Sequence, residues 1–194
     1  SWWEDSQGRE EGLLRSGLAH FYFVTIHPFE DGNGRIARAL TEMALAQDEN
    51  LPMRCYSLSS QIMEEQDDYY AALETSQKRS GDVTGWLQWY LGCHSRAVVK
   101  AGQLIADVLA KAEFWRRQDQ TELSERQRKV VNRLLDAGRE GFKGGLTTRK
   151  YVSLAKVSRA TAFREISDLL GKKILRQNPA RGRSASYDLN WGPS

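Results

Sequence analysis

The first part of the chain, up to about residue 138, repeats its hydrophobic residues at intervals of three and four positions. This spacing places apolar side chains along one face of an α-helix. It is found in residues 13–22, 36–44, 86–91 and 104–109. The pattern therefore predicts a mainly α fold for this part of the chain.

From Ser124 onward the pattern predicts a helix, a second helix, a tight turn, a third helix and a hairpin. Ser124 is followed by Gln127 three positions later, which is the signature of a capping box at a helix start. Thr147 or Thr148 is predicted to cap the short second helix. Residues 156–158 are predicted to form the tight turn.

Ser158 is predicted to cap the third helix, and Gly171 to close it. Residues 172–177 and 185–190 are predicted to form the two strands of the hairpin. The third helix is expected to point five apolar residues inward, which are Ala162, Phe163, Ile166, Leu169 and Leu170. This outline is typical of a winged helix-turn-helix domain.

Composition narrows the class of protein. With 194 residues, 40% of them hydrophobic, the chain can bury one sizeable core or two small ones. Two cysteines, Cys55 and Cys93, are too few for a disulfide framework, so a reducing, cytoplasmic setting is expected. No apolar run approaches the ~20 residues that span a bilayer, so no membrane partner is expected. The start at Ser1 has no initiator Met and no signal-peptide pattern, and we expect a fragment of a longer protein.

The net charge of +3 hides an uneven distribution. Residues 1–138 carry 16 basic and 21 acidic side chains, a net charge of −5. Residues 139–183 carry 12 basic and 3 acidic side chains, a net charge of +9. An acidic part followed by a basic part predicts two domains with different partners. We place the boundary in the polar segment 113–122, which gives domains at 1–118 and 119–194.

The densest chemistry lies in residues 27–38, HPFEDGNGRIAR. Pro28 pushes the residue before it out of helical geometry, so His27 is expected at the end of a helix. The letters DGNG supply turn residues before a second helix begins. The free backbone N–H groups and the macrodipole at the start of that helix favour an anion.

The side chains of the same stretch suit a phosphate group. Arg35 and Arg38 would lie on roughly one side of the helix and donate to phosphate oxygens. Asp31 is a hard oxygen ligand of the kind that Mg²⁺ uses beside phosphates, and His27 is a candidate general base. Together they predict transfer of a phosphate-containing group. A surface corner between two helices is the alternative, which DGNG alone favours but which needs neither the histidine nor the arginines.

This stretch resembles the Fic-domain signature, H-P-F-x-D/E-G-N-G-R-x-x-R, at every specified position. The resemblance implies an all-α Fic fold and transfer of AMP from ATP to a protein hydroxyl, with release of pyrophosphate. It implies that His27 deprotonates a Ser, Thr or Tyr hydroxyl, that Asp31 holds Mg²⁺, and that Phe29 is buried and pins the loop. The phosphate-binding residues that it implies are Gly32, Asn33, Gly34, Arg35 and Arg38.

The resemblance also implies finer roles. Arg35 would contact the β-phosphate of ATP and Arg38 the γ-phosphate. Related Doc-type phosphotransferases carry lysine at the position of Gly34, so its absence favours nucleotidyl transfer. Further along, Tyr70 is the candidate to contact adenine, with an ordinary half-buried aromatic as the alternative. Gln77 falls where relatives often carry Asn.

Two features of many Fic proteins are not expected here. Residues 1–26 are too few and too helical to contain the β-hairpin flap that docks a target segment. The run from Ser6 to Glu11 matches the inhibitory helix of the family poorly, because Glu11 stands where that motif has Gly or Asn. We therefore expect the uninhibited portion of a longer, regulated protein.

The basic second domain is a candidate for binding nucleic acid. Its third helix would present one set of residues to a major groove and the hairpin another set to phosphates. These residues are Arg159, Thr161, Arg164, Lys172, Lys173, Arg176, Arg181 and Arg183. Winged helices that mediate protein contacts or dimers are the alternative, since charge alone supplies only non-specific affinity.

The sequence thus predicts a mainly α protein in which an all-α Fic fold precedes a small winged-helix domain. The predicted function is that of a protein adenylyltransferase using ATP and Mg²⁺. The alternatives are a DNA-binding transcriptional regulator and a toxin-type module, in which the Fic half binds nucleotide. The expected partners are a target protein with a hydroxyl side chain, DNA at the winged helix, and a second copy of the chain.

Overall fold

The computed structural model describes residues 1–49, 53–78, 81–179 and 185–192. Within these ranges the chain is mainly α-helical, which confirms the predicted fold class, and its β structure is one two-stranded sheet. In chain order the elements are α1 (Trp2–Asp5), α2 (Gly12–Ile26), α3 (Asn33–Glu49), α4 (Leu58–Glu64), α5 (Gln66–Gln77), α6 (Thr84–Arg117), α7 (Glu125–Asp136), α8 (Thr148–Ala155), α9 (Arg159–Gly171), β1 (Leu175–Gln177) and β2 (Tyr187–Leu189).

The chain divides into two compact units, Ser1–Ile105 and Ala106–Ser194. This division falls inside α6, whereas the sequence-based boundary lies further along the chain, between residues 118 and 119. The difference has a physical reason, because α6 continues to Arg117 and its final turns carry Phe114. That ring is 4% exposed and packs in the hydrophobic core of the second unit.

The core of the first unit is built around two aromatic residues of α6. Trp86 and Tyr90 are fully buried, and the indole N–H of Trp86 donates to the carbonyl of Gly17 in α2 at 2.8 Å. A Cβ at position 17 would lie 2.8 Å from the Tyr90 ring, so only glycine allows α2 to come this close. Helix α2 also packs against α3. These contacts hold the two helices that flank residues 27–32.

In the second unit α7 and α9 pack against the sheet, and α8 packs against α7 and α9. Strands β1 and β2 are antiparallel, with Leu175 opposite Leu189 and Gln177 opposite Tyr187. Residue Leu146, which precedes α8, forms an isolated bridge to Tyr187. The predicted hairpin is confirmed in its strands, while residues 180–184 of its turn, which was predicted at 178–184, lie outside the described residues.

The predicted helix starts of this unit are confirmed. Ser124 accepts from the backbone N–H of Gln127, whose side chain accepts in turn from the N–H of Ser124, so the capping box is complete. Thr147, rather than Thr148, caps α8. Ser158 caps α9. Each of these caps is a hydrogen bond between residues three positions apart, so it can be predicted from the sequence alone.

Two details of α9 differ from the prediction. Phe163 was expected to face inward, but it is 63% exposed, whereas its neighbour Ala162 is fully buried. One position along a helix is a rotation of about 100°, and the buried stripe of α9 passes through Ala162, Ile166 and Leu169. The left-handed residue after this helix is Lys173, with φ 56°, and not Gly171, which is the last helical residue.

No helix in the described ranges combines the length and the hydropathy needed to cross a lipid bilayer.

Candidate active site

Helix α2 ends on the residue predicted as the general base. His27 has a left-handed backbone (φ 51°, ψ 56°), and its N–H donates to the carbonyl of Phe23 at 3.1 Å. Its side chain is exposed, with Nδ1 at 3.4 Å from the carbonyl of Val24. A carbonyl can only accept, so Nδ1 carries the proton in this long contact. In a neutral ring of this form the lone pair lies on Nε2, where an incoming hydroxyl can reach it.

The loop between α2 and α3 is closed by the side chain of Asn33. Its Oδ1 accepts from the N–H of Phe29 at 3.1 Å, and its Nδ2 donates to the carbonyl of the same residue at 2.5 Å. Asn33 is 3% exposed. Its side-chain amide therefore makes two bonds within the loop, and its backbone N–H can bind an anion. Gly32 has φ 86°, a conformation that favours glycine.

The prediction that Phe29 is buried and pins the loop is wrong. Its side chain is 51% exposed, and its ring lies 6.3 Å from that of Phe23. The loop is held instead through the backbone of Phe29, by the two hydrogen bonds from Asn33. The side chain of Asn33 thus holds the loop in place, which was expected of the Phe29 ring.

The loop and the start of α3 line a cavity of about 290 Å³. It brings together the base candidate, the metal-ligand candidate and the phosphate-binding candidates from residues 27–38. The lining residues are His27, Glu30, Asp31, Gly32, Asn33, Gly34, Arg35 and Arg38. The N-terminus of α3, a helix of 17 residues, opens onto the same cavity. Its macrodipole adds partial positive charge there.

The two arginines of the cavity are in different states. Arg35 donates to Asp31 at 3.0 Å, and the other carboxylate oxygen of Asp31 accepts from the N–H of Gly32 at 2.6 Å. Arg38 is half-buried and makes no hydrogen bond or ion pair with any other described residue. Arg38 is therefore the cation that an incoming anion can bind without first breaking an ion pair.

Tyr70 and Gln77 do not line this cavity. Tyr70, on α5, is 58% exposed and stands edge-on to Tyr69, with ring centroids 5.1 Å apart. Gln77 is the last residue of α5, and its Nε2 donates to Oγ1 of Thr25 at 3.1 Å. That bond ties the end of α5 to the last turn of α2, next to His27.

The structure also brings forward a histidine to which no sequence motif points. His20 is fully buried in α2, with Nδ1 3.0 Å from Oγ1 of Thr41 and Nε2 3.0 Å from the hydroxyl of Tyr69. Burial, together with the positive charge of Arg38, lowers the pKa of His20 to about 4. The one signal in the sequence was its place two helical turns before His27.

The described residues contain no group of three or more His, Cys, Asp and Glu side chains that could hold a metal ion. The cavity offers two carboxylates, those of Glu30 and Asp31. Mg²⁺ is commonly held by one or two carboxylates together with substrate phosphates, so these residues fit a magnesium ion that arrives with a nucleotide.

The residues predicted to contact nucleic acid fall into three groups. Arg159, Arg164, Lys173 and Arg176 are exposed. Thr161 is half-buried and Lys172 is tied down, because the ammonium of Lys172 donates to the carbonyl of Glu122 at 2.9 Å and to Asp168 at 2.7 Å. Arg181 and Arg183 lie outside the described residues.

Comparison with known proteins agrees with the motif. Residues 2–45 match the Fic/DOC family. A protein adenylyltransferase fic-1 of Caenorhabditis briggsae is 31% identical over 97 residues, which is 50% of this chain and 17% of that protein. The protein adenylyltransferase fic-1 of Caenorhabditis elegans is 31% identical over 88 residues, 45% of this chain and 16% of that protein. The matched part thus spans about a sixth of these relatives. The resemblance inferred from residues 27–38 is confirmed.

Proposed function

We propose that this chain, whose residues 2–45 match the Fic/DOC family, transfers AMP from ATP to a Ser, Thr or Tyr hydroxyl of a target protein and releases pyrophosphate. The observation that carries the proposal is one cavity lined by an exposed histidine, two carboxylates, two arginines and a helix N-terminus. The similarity to proteins named protein adenylyltransferase supports this choice of reaction.

The reaction needs a base beside the α-phosphate. Nε2 of His27 takes the proton of the target hydroxyl, and the hydroxyl oxygen attacks the α-phosphorus. A bond forms between that oxygen and phosphorus, and the bond from phosphorus to the oxygen bridging the α- and β-phosphates breaks. Pyrophosphate leaves with the electron pair, and the target carries AMP as a phosphodiester.

Phosphate binding falls to the start of α3. The backbone N–H groups of residues 32–34 and the helix macrodipole attract phosphate oxygens. Arg38, which is not paired with any described residue, donates to the terminal phosphates, and Arg35 joins it once its bond to Asp31 opens. Glu30 and Asp31 are the residues that would hold Mg²⁺, which neutralises phosphate charge when bound.

The proposal is tested with ATP labelled at two different positions. Label in the α-phosphate should appear on a protein target when the chain is incubated with a lysate and Mg²⁺. Label in the γ-phosphate should not, because it departs in pyrophosphate. Transfer of the γ label in place of the α label would show phosphoryl transfer and overturn the proposal.

The control for the base uses two substitutions at one position. His27→Ala and His27→Asn both remove the base, but asparagine tolerates the left-handed backbone of residue 27, with φ 51°, better than alanine does. Both should lower α-label transfer by about 10²–10⁴-fold, the usual contribution of a positioned base. Full activity in His27→Asn would mean that residue 27 is needed for its left-handed backbone conformation and does not act as the base.

A second candidate function, nucleic-acid binding, is favoured by how the second unit distributes its charges. Both acidic side chains of α9 face partners within the unit. Glu165 accepts from Arg126 at 2.9 Å and from the hydroxyl of Tyr151 at 2.7 Å. Asp168 accepts from Gln127 and from Lys172, each at 2.7 Å. The basic residues Arg159, Arg164, Lys173 and Arg176 are left exposed, which suits a polyanion.

Binding to duplex DNA would be measured by fluorescence anisotropy over a range of salt concentrations. The logarithm of the affinity should fall with the logarithm of salt by about 0.9 per phosphate contacted. The double substitution of Arg159 and Arg164 by Gln should lower that slope by about 2. The matched control replaces Lys129 and Arg133 of α7 by Gln, which removes the same charge from another helix. Equal effects of the two double substitutions would indicate that DNA binding depends on net charge alone and not on a defined surface.

A further inference from the structure

A buried chain of polar groups joins α5 to α2 and α3, the two helices that flank the candidate site. It runs from Tyr69 on α5 through His20 on α2 to Thr41 on α3, with both contacts of the imidazole at 3.0 Å. Thr41 continues it, because its hydroxyl donates to the carbonyl of Ala37 at 2.9 Å. His20 is fully buried, and its ring is stacked on that of Trp86 at 5.4 Å.

The direction of every proton in this chain follows from the geometry. The one hydroxyl hydrogen of Thr41 is given to the carbonyl of Ala37, so its oxygen must accept from Nδ1 of His20. A neutral imidazole that donates from Nδ1 accepts at Nε2. The hydroxyl of Tyr69 therefore donates to Nε2. His20 is thus a neutral Nδ1–H imidazole with both of its nitrogens occupied.

The chain ends beside Arg38, the arginine of the cavity that pairs with no other described residue. The carbonyl of Ala37 belongs to the peptide bond that leads into Arg38. Arg38 is also close enough to His20 for its positive charge to disfavour protonation of the imidazole. His20 itself has no exposed surface, so it cannot touch a nucleotide. The hydrogen bonds that lead from His20 toward the site run through Thr41 to the second turn of α3.

We infer that His20 is a positioning residue which fixes the turn of α3 carrying Arg38, so that the guanidinium meets the terminal phosphates of the nucleotide. The nucleotide part of this inference rests on the proposed function. The imidazole supplies what an apolar residue of similar size cannot, namely one donor and one acceptor at fixed angles. An apolar residue would leave the buried hydroxyl of Tyr69 without an acceptor, which costs stability.

Two substitutions separate positioning from packing. In His20→Asn the side-chain amide reaches the place of Nδ1 and keeps the bond to Thr41. In His20→Gln it reaches the place of Nε2 and keeps the bond to Tyr69 instead. Each variant retains one bond and loses the other, so both should lose similar stability. Only His20→Gln loses the bond to Thr41, so only this variant should leave the turn of α3 that carries Arg38 less well fixed.

The measurement is the dissociation constant of ATP with Mg²⁺, by titration calorimetry, with AMP as the matched ligand that lacks the terminal phosphates. His20→Gln should weaken ATP binding by about tenfold or more, the worth of a charge-assisted hydrogen bond. His20→Asn should stay within about threefold of the parent chain. AMP binding should hardly change in either variant. Equal losses of ATP affinity in both variants, or losses that follow stability, would overturn the inference.

The imidazole itself gives a second readout that does not depend on nucleotide. The ¹⁵N NMR shifts of His20 should show a protonated Nδ1 and an unprotonated Nε2 at neutral pH. A protonated Nε2 would overturn the hydrogen-bond chain, whatever the activity. If the parent chain binds no ATP while the Nδ1–H form is found, the proposed function and the role toward Arg38 both fail, and the buried chain stands as structure alone.

Discussion

The carboxylate of Asp31 and the guanidinium of Arg35 form an ion pair of 3.0 Å across one turn of the chain, with side chains 90% and 73% exposed. Water screens such an exposed pair, which contributes between zero and about 1 kcal/mol to stability. Asp31 and Arg35 are also the residues that the proposed function assigns to metal and phosphate. Asp31 and Arg35 therefore balance each other's charge before a ligand arrives.

Replacing Arg35 by Gln should accordingly separate stability from binding. We expect the free energy of unfolding in urea to change by less than about 1 kcal/mol. ATP affinity in the presence of Mg²⁺ should fall, because a charge-assisted donor to phosphate is lost. Calorimetric titration and urea denaturation of the same preparation measure both. A large loss of stability with unchanged ATP affinity would mean that Arg35 is structural.

The buried imidazole of His20 predicts a pH dependence of stability. Its pKa is lowered from 6.5 to about 4 by burial and by Arg38. Between these values the unfolded chain binds a proton that the folded chain does not, so stability falls as the pH is lowered through this window. The difference approaches about 3 kcal/mol, since each pKa unit is worth about 1.4 kcal/mol. The stabilisation is fully present above pH 6.5.

This dependence is measured by urea unfolding at pH 4.5 and 7. The groups that face the imidazole do not change charge in that range, because burial raises the pKa of Tyr69 to about 12 and guanidinium groups stay charged. His20→Asn removes the titrating group and should flatten the curve between the two pH values. An unchanged slope in that variant would assign the dependence to other groups.

The two thiols should differ sharply in reactivity. Burial raises the pKa of the Cys93 thiol to about 12, with the negative charge of Glu65 acting in the same direction, whereas Cys55 is exposed. Since the thiolate is the reactive form, iodoacetamide should modify Cys93 at least about a hundredfold more slowly than Cys55 in the folded chain. Peptide mass spectrometry after short exposure measures both rates. In Cys55→Ser no fast modification should remain, and comparable rates for the two thiols would contradict the buried placement of Cys93.

Removing the side chain of Asn33 should loosen the loop locally. Asn33→Ala leaves the N–H and carbonyl of Phe29 without their partner, at a cost of about 1–3 kcal/mol for a part-buried group. Hydrogen exchange should rise in residues 27–33, while residues 125–136 of the second unit serve as the internal reference. Asn33→Asp, which keeps the acceptor, should give a smaller rise. Exchange that rises equally in both segments would indicate global unfolding.

Local signals were readable from the sequence, because their causes lie within a few residues. The end of α2 at His27 follows from Pro28, and the caps at Ser124 and Ser158 follow from side chains that reach three residues ahead. The grouping of residues 27–38 in one cavity was also implied by their adjacency.

The predictions that were wrong, and the residue for which none was made, depend on packing between distant parts of the chain. Phe29 and Phe163 are both exposed, and the apolar character of a residue does not reveal which residues on a turn or a helix find room in a core. The partners of His20 are 21 and 49 residues away in the sequence, so no spacing rule points to them. A buried polar chain of this kind becomes visible only when the helices are assembled.

The bond pair between Asn33 and Phe29 has one more consequence. Because the loop is held by its own side chain, it loses its conformational entropy when the protein folds. A triphosphate that binds later does not have to order the loop, so this entropy loss does not weaken binding. Catalysis would then begin from a cradle that is rigid before it is filled.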